Sequence, residues 1–200
     1  MASDLGAMAP EVHRRERGPM HKDAAAILDF WFGECTPEQH FARDDALDAE
    51  IARRFGELRE VVVANGAAGW RDDADSLLAA IVLIDQFGRN RHRGSGAAFA
   101  ADPLALQLAR EGVAKGYDAQ LPPARAKFLY MPFMHAEDAG AQAESVRLFE
   151  ALGDADSHDF ARQHRAVIED YGRFPSRNAA LGRADTPAEE AYLSRPDAGW

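Results

Sequence analysis

Eight consecutive apolar residues, 77–84, end on Asp85, and no other stretch limits the fold so strongly. The run is apolar on every side and far shorter than the roughly 20 residues that span a bilayer, so it belongs inside a protein core. A strand there would need partners, and no clear alternating segment stands between turn signals elsewhere in the chain. The run therefore reads as a buried central helix, with Gly88 as its C-terminal cap. A carboxylate in the last turn of such a helix opposes the macrodipole and is costly to bury, so Asp85 needs a cationic partner. Arg89, at i+4, is the nearest, while Arg173, Arg177 and Arg183 are further candidates once the chain folds.

The remaining readable periodicity is also helical. A first helix is expected over 24–32, burying Ile27, Leu28, Phe30 and Trp31 before Gly33. Thr36, Pro37 and Gln39 have the order of an N-cap, a first helical residue and a capping-box partner. Phe41, Leu47, Ile51, Phe55, Leu58 and Val62 then mark the inner face of a helix of about 40 Å that frays near Asn65-Gly66. Further helices are expected from Asp102-Pro103 to Gly116, from Pro122-Pro123 to the interruption at Pro132, over 138–152, over 157–171 and from Thr186 to just before Pro196. In the helix over 157–171, Phe160, His164, Val167, Ile168 and Tyr171 share one face, placing His164 among apolar neighbours. The fold class is all-α, an irregular stack of antiparallel helical hairpins with about eight helices. Residues 1–22 have no apolar run and read as a disordered tail; 23–200 read as a single helical domain.

The acidic balance of this 200-residue chain, net charge -10, argues against a nucleic-acid partner, because Arg89, Arg91, His92 and Arg93 are too few to track phosphates. The single cysteine, Cys35, excludes an intrachain disulfide and a cysteine-based zinc site and fits a reducing compartment, with the cytoplasm as the default. No membrane partner is expected, and no HExxH or phosphate-loop pattern points to a metal or cofactor.

Chemistry-bearing residues concentrate in three phrases. Phe87-Gly88-Arg89-Asn90 and Phe174-Pro175-Ser176-Arg177-Asn178 each place a breaker after a phenylalanine and then an arginine and an asparagine. Between them, Met131-Pro132-Phe133-Met134-His135-Ala136-Glu137-Asp138 puts a histidine and two carboxylates just after a proline that should kink or stop its helix. His135 and His164 with Glu137 or Asp138 have the makings of an acid/base group, and arginines left without carboxylates would take an anion bidentately. The expected site comprises Asp85, Arg89, Asn90, His135, Glu137, Asp138, His164, Arg173, Arg177 and Asn178, with Trp31 and Tyr130 as walls.

These phrases, with Leu28-Asp29-Phe30-Trp31-Phe32-Gly33 and Gly172-Arg173 ahead of the last, resemble the bacterial family catalogued as domain of unknown function 924, in order over about 24–200. The resemblance implies an all-helical fold similar to tetratricopeptide-repeat proteins, and no established activity. Two positions depart from the family pattern: Gly88 stands where proline is usual, and Ser176 where histidine is frequent.

Three functions remain in competition: a site for a small anionic molecule, a helical adaptor gripping a peptide or protein in a groove, and a purely structural network of ion pairs. Neither a reaction nor an oligomeric state is readable.

Overall fold

The computed structural model describes residues 20–196 and Ala198; the expected N-terminal tail falls mostly outside them. Of that tail, His21 is docked: its ring stacks on Trp70 at 3.9 Å and its backbone N–H donates to Ser76 Oγ at 2.7 Å.

Among the described residues the chain is helical throughout, with no strand. Helix α1 (Ala24–Asp29) continues as a π-helical turn, Phe30–Glu34. Helix α2 (Asp45–Ala64) follows, and α3 (Ala74–Ile81), a second π turn (Val82–Gln86) and α4 (Phe87–Arg91) form one continuous rod. A 3-10 turn, Gly96–Ala98, leads to α5 (Asp102–Ala114), and α6 (Pro123–Met134), α7 (Ala139–Leu152) and α8 (Ala155–Tyr171) come next. A 3-10 turn at Pro175–Arg177 and the short helices α9 (Asn178–Leu181) and α10 (Pro187–Leu193) complete the chain. Counting each rod once gives nine helices in the described residues, close to the eight expected.

Residues 77–84 are the centre of the core, each at most 1% exposed, and α1, α2, α5 and α6 pack around their rod. The C-terminal half builds up by neighbours, α5 on α6, α6 on α7 and α7 on α8. Gly153 and Gly172 close α7 and α8 in the left-handed conformation, and Thr186 and Glu189 form a capping box at the start of α10.

Several local expectations are corrected. Thr36 and Gln39 do exchange capping bonds, but the turn does not propagate; α2 starts at Asp45, where Asp44 accepts from two backbone N–H groups, and Phe41 is exposed. Gly88 is not a cap, because the π turn carries the helix past it to Arg91. Gly88 instead lets the Arg59 guanidinium lie against the backbone, where a Cβ would come within 2.8 Å of Arg59 Nη2. Phe160 faces outward, so the inner face of α8 is Ala161, His164, Val167 and Ile168. Pro132 sits inside α6 without ending it. The buried end of α6 is tolerated because Gln142 Nε2, from α7, reaches the carbonyls of Met134 at 2.7 Å and Ala136 at 2.8 Å.

Candidate functional site

The π turn sets the site. It aims Asp85 into the interior, with a side chain that has no solvent exposure, beside the C-terminal end of α6. His135, the residue that ends α6, points Nδ1 at both carboxylate oxygens of Asp85, each at 2.9 Å. Gln86 Nε2 donates to the same carboxylate at 2.6 Å, and Arg89, one turn on, donates to it at 3.0 Å. Arg89 also reaches Asp102, the first residue of α5, at 3.1 Å. Arg177 donates to Asp102 from the other side at 3.2 Å and to the His135 carbonyl at 2.9 Å. Its guanidinium lies between the rings of Phe99 and Phe174, 4.5 Å from each centroid, an arrangement that favours a desolvated arginine.

The electrostatics follow from this alternation of charge. Burial would raise the Asp85 carboxyl, but His135 and Arg89 more than reverse it and hold the group below its ordinary range. Burial and then the Arg89 charge push His135 below its usual value, so Arg89 carries the positive charge and the imidazole stays neutral, giving its Nδ1–H to Asp85. Burial, reinforced by the charge of Asp85, raises Asp102 against the pull of Arg89 and Arg177. Arg177 is pushed down to about 10 by burial and by Arg89.

Beside this network opens a cleft of about 610 Å³, within the ordinary range for small-molecule sites. Phe99, Pro103, Leu106, Ala180 and Leu181 give it apolar walls; Asp102, His135, Glu137, Asp138 and Arg177 contribute polarity. His135 is the only histidine in its lining, and no hydrogen bond engages its Nε2 among the described residues.

The expected site residues thus divide. Asp85, Arg89, His135 and Arg177 converge, and Glu137 and Asp138 border the cleft. Glu137 accepts from the Phe174 N–H at 2.8 Å and from Arg183 at 2.7 Å, and Asp138 caps α7. His164 packs behind His135, ring centroids 6.5 Å apart, its Nδ1 2.8 Å from the Phe160 carbonyl and its pKa pushed down to about 3 by burial. The others lie apart. Asn90 donates to Asp48 at 2.7 Å, Arg173 pairs with Glu189 at 2.6 Å, and Asn178 donates to Asp185 at 2.6 Å. Tyr130 donates to Asp118 at 2.8 Å, and Trp31 is fully buried against His40. Neither is a wall of the cleft.

Asp102 is the member that sequence reading passed over. An aspartate opening a helix ahead of a proline is already explained by the dipole, so nothing local pointed to two arginines. Gln86 and Phe99 likewise gave no signal. Among the described residues, no group of three or more histidine, cysteine, aspartate or glutamate side chains is arranged to hold a metal, and no helix is long and apolar enough to cross a membrane.

The solved structure of a protein of unknown function from Agrobacterium tumefaciens has a similar fold: TM-score 0.81 and 38% identity, over 86% of this chain and 96% of that one. No curated protein matches. The sequence pattern of a family described as bacterial protein of unknown function (DUF924) matches residues 27–197, and with that match over most of its length the chain belongs to this family.

Proposed function

We propose that the protein binds a small molecule in the cleft, with an apolar body against Phe99, Leu106 and Leu181 and a hydroxyl or ammonium donor on His135 Nε2. The observation that carries this reading is the Asp85–His135 pair. Accepting the Nδ1–H fixes the neutral tautomer and leaves Nε2 as a lone-pair acceptor, the arrangement that serves recognition of a donor or removal of its proton.

The anionic ligand expected from the sequence needs an arginine fork without a carboxylate. Here Asp85 and Asp102 engage Arg89, and Asp102 engages Arg177. The cleft lining carries three carboxylates against one arginine, which favours a donor-bearing ligand over an anion. A peptide groove is the weaker alternative, since the residues that converge do so around one cleft rather than along a helix face.

A thermal-shift screen of small alcohols and amines against matched carboxylates and phosphates tests the proposal. A ligand at a hundred times its Kd adds about 2.7 kcal/mol of stability. His135→Asn, which keeps a donor for Asp85 and loses Nε2, should abolish that gain. Stabilisation that survives this substitution, or its absence for every donor-bearing compound, refutes the reading.

A further inference from the structure

A second polar cluster lies where α2 meets α4. Gly56 and Arg59 on α2 face Gly88 and Arg91 on α4, and the two pairs interlock. The Arg59 guanidinium lies on Gly88, and the Arg91 guanidinium occupies the space that a Cβ at Gly56 would fill. Each glycine thus makes room for the opposite helix's arginine, and two like charges are packed between the same two helices.

Their compensation is incomplete. Among the described residues, the one carboxylate within 4 Å of Arg59 or Arg91 is Glu60, which is half-exposed. A single oxygen, Glu60 Oε1, lies 3.4 Å from Arg59 Nη1, 3.9 Å from Arg91 Nε and 3.9 Å from His92 Nε2. Arg59 is 5% exposed, and its buried Nε–H has no acceptor among the described residues. Burial, and then Arg59 and Arg91, push His92 below its usual value, a sign of surplus positive potential in a chain whose net charge is -10. By contrast, Arg93 next door is fully met by Asp48, at 2.8 and 3.0 Å.

We propose that Arg59, Arg91 and His92 form a binding site for a phosphoryl dianion, free or as a monoester, with Glu60 as the built-in counter-ion that such a ligand displaces. Glu60 Oε1 marks where a ligand oxygen would sit, faced by donors from both helices. A dianion brings twice the charge of Glu60 to two guanidiniums that accept bidentate pairing. None of these residues lines the cleft, and the site does not depend on the reading given for it.

Thermal unfolding in inorganic phosphate, against sodium chloride of equal ionic strength, tests the proposal, with glycerol phosphate as a parallel arm. Phosphate should stabilise the wild type saturably; tighter binding of the monoester would assign the site to a phosphorylated molecule, and equal or weaker binding to free phosphate. Gly56→Ala leaves a good helix former in α2 but evicts the end of Arg91, and should cut phosphate affinity at least tenfold, as should Arg91→Gln. Glu60→Gln removes the competitor and should tighten binding by up to about fivefold, the equivalent of one exposed ion pair. His135→Asn should leave the response unchanged, separating this site from the cleft. Equal behaviour in phosphate and chloride, or a phosphate response retained in both Gly56→Ala and Arg91→Gln, overturns it.

Discussion

His164 should make the protein's stability fall in mild acid by an amount that can be calculated. Its side chain is buried on the inner face of α8, and burial, with His135 nearby, brings its pKa down to about 3 from 6.5. Above pH 6.5 the ring is neutral in both the folded and the unfolded chain, and the site's stability is fully present. Below pH 6.5 the unfolded chain binds a proton that the folded one refuses, so stability is lost as pH falls toward 3. Between pH 8 and pH 5 the loss is about 2 kcal/mol, from 1.36 kcal/mol per pH unit over the unit and a half below 6.5. His164→Asn removes the titration and keeps a donor for the Phe160 carbonyl. Urea unfolding of both proteins at pH 8, 7, 6 and 5 is the assay. At pH 8 the wild type should be the more stable, because asparagine fills the space less well. That advantage should shrink by about 2 kcal/mol on reaching pH 5. His135 is shifted the same way but is present in both proteins and cancels to first order. A difference between the two proteins that stays constant across the series would refute the account.

Two further substitutions separate the structural and chemical roles of the interior. Asp85→Asn leaves Arg89 with one carboxylate and gives the His135 Nδ1–H a neutral amide oxygen in place of a carboxylate; urea unfolding should show a loss of about 3–5 kcal/mol, the range for breaking a buried charge pair. Ser145, on α7, buries a hydroxyl that has no hydrogen-bond partner among the described residues, so Ser145→Ala should raise stability by about 1 kcal/mol in the same assay, and a loss would show that the hydroxyl is satisfied after all.

The features legible in the sequence were those with local causes. The start of the last helix at Thr186 is set within a turn of itself and lies where expected. Asp85 was legible for a related reason: its cost of burial is written in the eight residues before it, and Arg89 stands one turn ahead. What escaped depends on other parts of the chain. Gly88 has the look of a helix cap, and only the arrival of Arg59 from α2 explains why a glycine is there. Asp102 has a sufficient local role and acquires its two arginines only through folding. Asn90 and Asn178, inside the arginine-asparagine phrases, and Arg173, just ahead of the second, found carboxylates of their own, because helix ends that look alike in sequence face different neighbours. Phe160 fits the apolar period of α8 yet faces outward, since periodicity records spacing and not what lies opposite, and Phe41 lies ahead of α2, outside the helix whose period it matched.

The π turn at Val82–Gln86 has a bearing on how this chain tolerates changes in length. One extra residue in the rod advances everything after it by about 100° of rotation relative to a plain α-helix. Asp85 lies within that step and Arg89 just beyond it, so a single setting of the shaft meets α6 on one side, with His135, and α2 on the other, with Arg59. Deleting one residue there would spare every apolar contact upstream and turn α4 like a key out of its lock, pulling Arg89 from Asp102 and Gly88 from Arg59 together. A substitution in the turn perturbs one contact; a deletion re-indexes both faces of the protein at once.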